Sequence, residues 1–344
     1  MCPPCRNVIN ETDSLEGLGW SDFFQSQLEP HDINCVPMRI SKVHRARLVA
    51  ISATGSVNLM LSAQSNTADF AVGDWVLVHP EDNSVQRLLA RKTLISRQRG
   101  EGGTNQLAAA NVDALFIVTS CNDDFNSARL ERYLAMANES GADPVIILTK
   151  SDTVADARKY EEQAALLQRE LPVVVLDGHS PDCVNTLAVW CGPGQTVALV
   201  GSSGVGKSTL VNALIGGKAP QLTGDIREHD GKGRHTTTSR SLHSIERGGW
   251  VIDTPGIRTL NVSEVSYGID MLFAEITELA PLCRFRNCTH SHEPGCAVQA
   301  GVNAGTIDPE RLTRWRKLQI ENAANTSAPS HSRGGGGKPN RKNR

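Results

Sequence analysis

The sequence predicts a multidomain chain: a small N-terminal β-barrel, a central doubly wound α/β domain and a C-terminal helical segment that binds a metal. Three observations predict it. Short strand-like runs crowd residues 36–99, apolar strands alternate with helical segments from Leu107 to Leu260, and three cysteines and a histidine fall within fourteen residues, at Cys283, Cys288, His290 and Cys296.

The 344 residues, 39% of them apolar, can build two or three real cores. No apolar run reaches the length of about 18 residues that a membrane span needs, so no membrane association is expected. The start Met1-Cys2-Pro3-Pro4-Cys5 lacks the charged and apolar regions of a secretion signal, which predicts a cytoplasmic protein. In that setting nine cysteines read as reduced thiols or metal ligands rather than a disulfide framework. The net charge of −2 is unevenly spread. Residues 1–35 carry one arginine and six acids, residues 36–100 nine basic side chains and four acids, and residues 330–344 five basic side chains and no acid. Zones of opposite sign suggest a polyanionic partner for the basic parts, with nucleic acid the natural one.

In chain order, residues 1–35 have little periodicity and read as a mobile acidic extension with a short helix between Trp20 and Leu28. Within 36–103, Arg47–Ile51, Ser56–Met60 and Gly73–Val78 read as strands separated by turn residues. A basic five-stranded Greek-key barrel of the OB-fold type suits them, and an SH3-like barrel fits nearly as well. Within 104–262, strands at Val112–Thr119, Pro144–Thr149, Pro172–Leu176 and Thr196–Val200 alternate with helices at Ala128–Ser140, Ala155–Glu170 and Lys207–Ile215, which predicts a parallel sheet covered on both faces. Within 263–325, helical segments near Ile269–Leu279 and Pro309–Ala323 flank the cysteine-histidine cluster. Residues 326–344, with four successive glycines and many bases, read as a disordered tail.

Two motifs carry the chemistry of the central domain. Gly201-Ser202-Ser203-Gly204-Val205-Gly206-Lys207-Ser208-Thr209 follows a strand and opens a helix, the setting of a P-loop. Its backbone amides cradle phosphates, Lys207 reaches the β/γ-phosphates and Ser208 binds Mg²⁺. Asp253-Thr254-Pro255-Gly256 also follows a strand, and fits the D-x-x-G segment in which Asp253 holds Mg²⁺ through water and the Gly256 amide senses the γ-phosphate. Thr149-Lys150-Ser151-Asp152 fits the guanine reader N-K-x-D, with Thr149 in place of asparagine. Asp152 would accept from the guanine N1–H and amine and reject adenine, and Lys150 would cover the base. After Leu176, Asp177-Gly178-His179 replaces the usual Ser-Ala support of the base carbonyl, leaving the Gly178 amide as a substitute. This reader precedes the P-loop, whereas ordinary GTPases have it after, so the domain is expected to be a circularly permuted P-loop GTPase domain.

Between the P-loop helix and Asp253, the segment Gly233-Arg234-His235-Thr236-Thr237-Thr238 can close onto Mg²⁺ and the γ-phosphate, with Thr237 or Thr238 favoured. Ile257 stands where many GTPases carry a water-orienting glutamine and cannot polarise water, so His235 is the candidate for that task. The cluster Cys283-x₄-Cys288-x-His290-x₅-Cys296 suits one tetrahedral Zn²⁺ per chain, with His292 as a competing fourth ligand. The pair Cys2-x-x-Cys5 has no second pair nearby and is not read as a site.

Together these motifs, with Cys283-Arg284-Phe285-Arg286-Asn287-Cys288-Thr289-His290 and Glu293-Pro294-Gly295-Cys296, resemble the RsgA family of ribosome small-subunit biogenesis GTPases over roughly residues 40–320. The resemblance implies an OB-fold, a permuted GTPase domain and a zinc-binding domain. It also implies GTP hydrolysis to GDP stimulated by the small ribosomal subunit, rRNA as the nucleic acid, and catalysis by the histidine at position 235. A monomer is expected. A competing reading is a non-catalytic RNA-binding protein switched by GTP; intact Lys207, Ser208 and Asp253 argue against it. An assembly ATPase is disfavoured by Asp152.

Overall fold

The computed structural model describes residues 14–98, 105–178, 180, 182–216, 240–253 and 264–326. Along the chain run α1 (Asp22–Gln25), β1 (Val36–Val43), β2 (Leu48–Ser52), β3 (Gly55–Leu59), β4 (Trp75–Val78), β5 (Val85–Leu88), β6 (Leu94–Gln98), β7 (Asn105–Ala110) and β8 (Ala114–Ser120). There follow α2 (Ser127–Ser140), β9 (Asp143–Thr149), α3 (Arg158–Ala165), β10 (Val173–Val175), α4 (Cys183–Thr186), β11 (Thr196–Val200), α5 (Lys207–Ile215), β12 (Ser241–Ser244) and β13 (Trp250–Asp253). The chain closes with α6 (Ser266–Leu272), α7 (Ala274–Thr277), α8 (Ala297–Asn303) and α9 (Pro309–Thr326). Among the described residues no helix is long and apolar enough to cross a membrane.

Eleven of the strands form one mixed sheet whose main path runs β10-β9-β8-β11-β13-β12-β1-β2-β3, with β4 and β5 joined beside β1, while β6 and β7 form a separate two-stranded sheet. From β10 to β13 all neighbours are parallel, as the apolar runs predict. Both faces of this part are buried: Leu115, Ile117, Ile146 and Leu148 pack on one side, Phe116, Val118, Val145 and Ile147 on the other. β12 then pairs antiparallel with β13 and carries the sheet onward to the N-terminal strands through a single bridge, Lys42 to Ser241. There, β1 pairs with β2 and β4, β2 with β3, and β4 with β5, all antiparallel, and a bridge from Met60 to Ser84 joins the end of β3 to the start of β5. Met38, Ile40, Leu48, Ala50, Val76 and Val78 fill the space inside.

Period-two alternation along β1 turns Met38 and Ile40 into this core and Arg39 the other way. Fully buried, the Arg39 guanidinium donates to the carbonyls of Leu18 (2.6 Å), Gly73 (3.3 Å) and Asn111 (3.2 Å) and to Thr196 Oγ1 (2.8 Å) at the start of β11. Burial works against its charge, and nearby Asp113 and Asp74 favour it. One side chain thus joins the N-terminal segment, the antiparallel strands and the strand that leads into the phosphate loop.

Two expectations are corrected here. The stretch expected as part of a mobile extension is packed from residue 14 onward: Leu18, Trp20 and Phe24 are buried, and the Trp20 ring meets Trp75 edge-on at 4.9 Å. Polar composition hid three large apolar side chains, which are enough to anchor a short segment. The expected helix over Ala155–Glu170 is shorter, Arg158–Ala165, because only Ala164 in it is buried. In addition, β6 and β7 pair with each other across the boundary expected at 103/104, and β6 packs against α2. Residues 1–13 and the tail from 327 lie outside the described residues.

Candidate functional site: phosphate loop, base reader and metal cluster

β8, β9 and β10 are laid down in one direction from the centre of the parallel region, and β11 and β13 in the other. The reversal falls between β8 and β11, where a doubly wound sheet opens a crevice at its carboxyl edge. Residues 201–209 leave β11 at this point. Gly201 (φ 139°) lies so close to β8 that a Cβ would stand 2.1 Å from the Val118 carbonyl oxygen, so only glycine fits. Gly204 (φ 81°) and Gly206 (φ 94°) make the turn into α5, whose first residue is Lys207. Lys207 Nζ donates to the carbonyls of Gly201 (2.8 Å) and Ser202, which holds the ammonium over the loop. Val205 is buried beneath, while Ser203, Gly204 and Ser208 are exposed and Ser202 and Thr209 half-buried.

The two other motifs come from neighbouring strands. Asp253 ends β13, and burial pushes its carboxyl above the usual range against the pull of Lys207. Thr149 ends β9 and is buried; its Oγ1 lies 2.7 Å from the Val205 carbonyl and 3.1 Å from the Thr119 carbonyl, and its single proton serves one of them at a time. Lys150 then takes a left-handed conformation (φ 57°), which turns the chain into a 3₁₀ turn, Ser151–Thr153, with Asp152 exposed. Gly178 lies beside α5, since a Cβ there would meet Thr209 Cγ2 at 3.6 Å. The structure therefore brings together 201–209, Thr149 and Asp253 at one sheet edge, with Lys150 and Asp152 following directly. His235, Thr236, Thr237, Thr238, Gly256, Ile257 and His179 lie outside the described residues.

The candidate metal-ligating side chains converge independently. The Cys283, Cys288 and Cys296 sulfurs and the His290 ring nitrogens supply one donor each, all within 4.8 Å of one another. Cys283 Sγ lies 3.8 Å from Cys296 Sγ, and each lies 3.5 Å from His290 Nδ1. A tetrahedral ion with bonds of about 2.3 Å to sulfur and 2.0–2.1 Å to nitrogen separates its ligands by about 3.8 and 3.5 Å. The spacings of Cys283, Cys296 and His290 thus match those of a tetrahedral metal site, with Cys288 as the fourth donor within 4.8 Å. His292 is exposed and stands outside the group.

Sequence reading missed the residues that hold this cluster. His290 has a left-handed backbone (φ 59°), its carbonyl accepts from Gln299 Nε2 and Arg316, and its ring meets Trp315 edge-on at 5.6 Å. Cys296 Sγ also accepts the Gln299 amide (3.4 Å), capping α8. Such partners orient a ligand before metal arrives. The position of Cys296 just before a helix was the one sequence signal available. A second group of charges ties this C-terminal part to the nucleotide-binding part: Arg311 and Arg314 of α9 flank the buried Glu131 of α2 at 3.4 and 2.9 Å, and Arg132 pairs with Glu321 at 2.6 Å.

Comparison with known proteins agrees with this assembly. The family model described as RsgA GTPase matches residues 88–263. A protein of Mesorhizobium japonicum called small ribosomal subunit biogenesis GTPase RsgA is 64% identical over 334 residues, covering 96% of each chain. One of Vibrio parahaemolyticus, called small ribosomal subunit biogenesis GTPase RsgA 2, is 43% identical over 96% of this chain and 91% of its own. Among solved structures, YjeQ from Thermotoga maritima superposes with a TM-score of 0.62 at 24% identity, covering 83% of this chain and 98% of its own. YloQ, described as a circularly permuted GTPase, gives 0.60 at 21% identity over 86% and 97%. At those identities the solved structures speak for the permuted fold alone.

Proposed function

This chain belongs to the RsgA GTPase family, and from that premise we propose that it binds the small ribosomal subunit, assists its late maturation and hydrolyses GTP to GDP and phosphate with stimulation by the subunit. The observation that carries this reading is the gathering of Lys207, Asp253 and Thr149 at the carboxyl ends of β11, β13 and β9, beside the sheet's reversal point. In this reading residues 201–209 wrap the phosphates and Ser208 and Asp253 hold Mg²⁺, which neutralises charge building on the γ-phosphate. Lys150 and Asp152 read guanine. Thr237 or Thr238 closes on the metal and His235 places the attacking water, since Ile257 cannot. Zn²⁺ occupies Cys283, Cys288, His290 and Cys296, where it fixes the fold of a segment with few apolar residues.

The N-terminal strands are read as an OB-fold within 36–103, followed by the nucleotide domain over 104–262 and the zinc domain over 263–325. Cyclic pairing β1-β2-β3-β5-β4 supports the first of these. OB-folds bind nucleic acid partly through the loop between their first two strands. Here that loop, His44–Arg47, carries exposed Arg45 and Arg47 and follows Lys42, the residue bridged to β12. Arg91 is a poorer contact, because it is paired with the buried Asp74 at 2.7 Å. We take rRNA as the ligand of this loop, and a cytoplasmic monomer as the working state.

GTP turnover measured with and without purified small ribosomal subunits tests the proposal. Strong stimulation by subunits is the expected result; a rate indifferent to subunits would favour a switch without subunit-coupled catalysis.

A further inference from the structure

The acidic N-terminal segment has no part in the function proposed above, and its two halves are held differently. The first is anchored by apolar contact and hydrogen bonds to two regions at once: Trp20 and Phe24 pack on Trp75, Trp250 Nε1 donates to the Gly17 carbonyl (2.7 Å) and Arg39 to that of Leu18. The second, Gln27 to Asn34, lies on the barrel mainly through polar contacts: of its two large apolar side chains, Leu28 is half-buried against the core and Ile33 is 85% exposed. Gln27 brackets the Ala90 backbone, and Asp32 reaches Arg87 of β5. Arg87 Nη2 donates to Asp32 and to the Gln27 carbonyl (2.8 Å), with Glu29 3.9 Å from Nη1. Arg87 Nε is buried and has no hydrogen-bond partner among the described residues.

We propose that residues Gln27 to Asn34 form an acidic flap in which Asp32 and Glu29 hold Arg87 in place of an RNA phosphate, so that RNA must displace them to engage this part of the barrel. The inference rests on the RNA-binding reading above. A guanidinium binds best through two parallel N–H donors, and Asp32 takes only the Nη2 side. A phosphate that accepts from Nε and Nη2 together satisfies the donor left unmet, which favours the exchange. Because the flap is tethered, its carboxylates compete at a local concentration in the millimolar range. A stray single phosphate therefore fails to open it, whereas an RNA already bound at other points succeeds.

The test compares wild type, the double variant Glu29→Gln/Asp32→Asn and the same variant carrying Arg87→Met, using a labelled uridine 20-mer and small ribosomal subunits over a range of salt. Asn at 32 keeps an acceptor for the Glu29 amide that Asp32 now caps at 2.9 Å. The double variant should bind the 20-mer several-fold more tightly, with a salt slope steeper by about 0.7, one single-strand phosphate contact. Arg87→Met should cancel both changes, and GTP binding should be equal in all three. Unchanged or weaker RNA binding in the double variant overturns the flap, as does a gain that survives Arg87→Met, since that would be a general charge effect. If wild type binds no subunits, the functional reading fails instead, and the 20-mer still reports on the flap.

Discussion

The hydroxyl of Thr149 lies 2.7 Å from the carbonyl oxygen of Val205, so the last residue of the strand before the base reader touches the phosphate loop directly. The guanine-reading motif of ordinary GTPases has asparagine at this position, and threonine there looks like a weakness of the motif. Tertiary structure makes it a tie: the side chain is buried, and a Cβ on Gly206 would meet it at 3.7 Å.

Removing that tie should loosen nucleotide binding. Thr149→Val leaves a buried carbonyl without its donor at a cost of about 1–2 kcal/mol, roughly five- to thirtyfold in GTP affinity. Thr149→Ser should restore most of it. Nucleotide dissociation rates measured by stopped flow give the answer, and equal rates for Val and Thr would remove the hydroxyl from the site.

Selectivity for guanine should depend on Asp152. Asp152→Asn exchanges an acceptor for an amide, so GTP should weaken at least tenfold, about 1.4 kcal/mol, while xanthosine triphosphate, which has a carbonyl where guanine has an amine, should improve. Competition binding among GTP, ATP and XTP measures both shifts. Equal wild-type affinity for ATP would dismiss the assignment.

One zinc ion per chain should be found by elemental analysis. Cys283→Ser should lose the metal and destabilise α8 and the loops around it, leaving GTP binding nearly intact because the cluster lies outside the phosphate loop. Limited proteolysis would locate the damage. A zinc-free protein with an intact C-terminal part would count against this centre.

Subunit binding should weaken steeply with salt. Replacing Arg45 and Arg47 with glutamine removes about two phosphate contacts and should flatten the logarithmic salt slope by about 1.4–1.8. An unchanged slope would move the RNA contact away from the loop between β1 and β2.

Intrinsic hydrolysis should be slow, on the order of 10⁻⁴ s⁻¹ as in unstimulated Ras, because Ile257 cannot orient water. His235→Ala should retain GTP and subunit binding yet lose most of the stimulated rate, on the order of a hundredfold or more. Stimulated turnover equal to wild type would assign the catalytic group elsewhere.

Much of this was legible in the chain. The strands at Thr196–Val200 and before Thr149, and the helix Lys207–Ile215, follow from continuous apolar runs and glycine punctuation, which are local signals. The cluster of Cys283, Cys288, His290 and Cys296 was legible because its four donors are close in sequence. The core role of Trp20 and Phe24 was not, because it depends on Trp75, about fifty residues away. Arg39 gave no sign either: a basic residue in a basic zone reads as surface, and its four acceptors come from four separate parts of the chain.

By itself the sequence determined the permuted order of the motifs, the residue types at the phosphate loop and the metal donor set, since each rests on neighbours within a few residues. Only the tertiary structure decided which basic side chains remain exposed, that Thr149 braces the phosphate loop, and that the acidic segment lies on Arg87. The physical reason is that charge and hydrogen bonding are settled by partners in space. An arginine beside a buried aspartate and one in open solvent are the same letter, and only folding tells them apart.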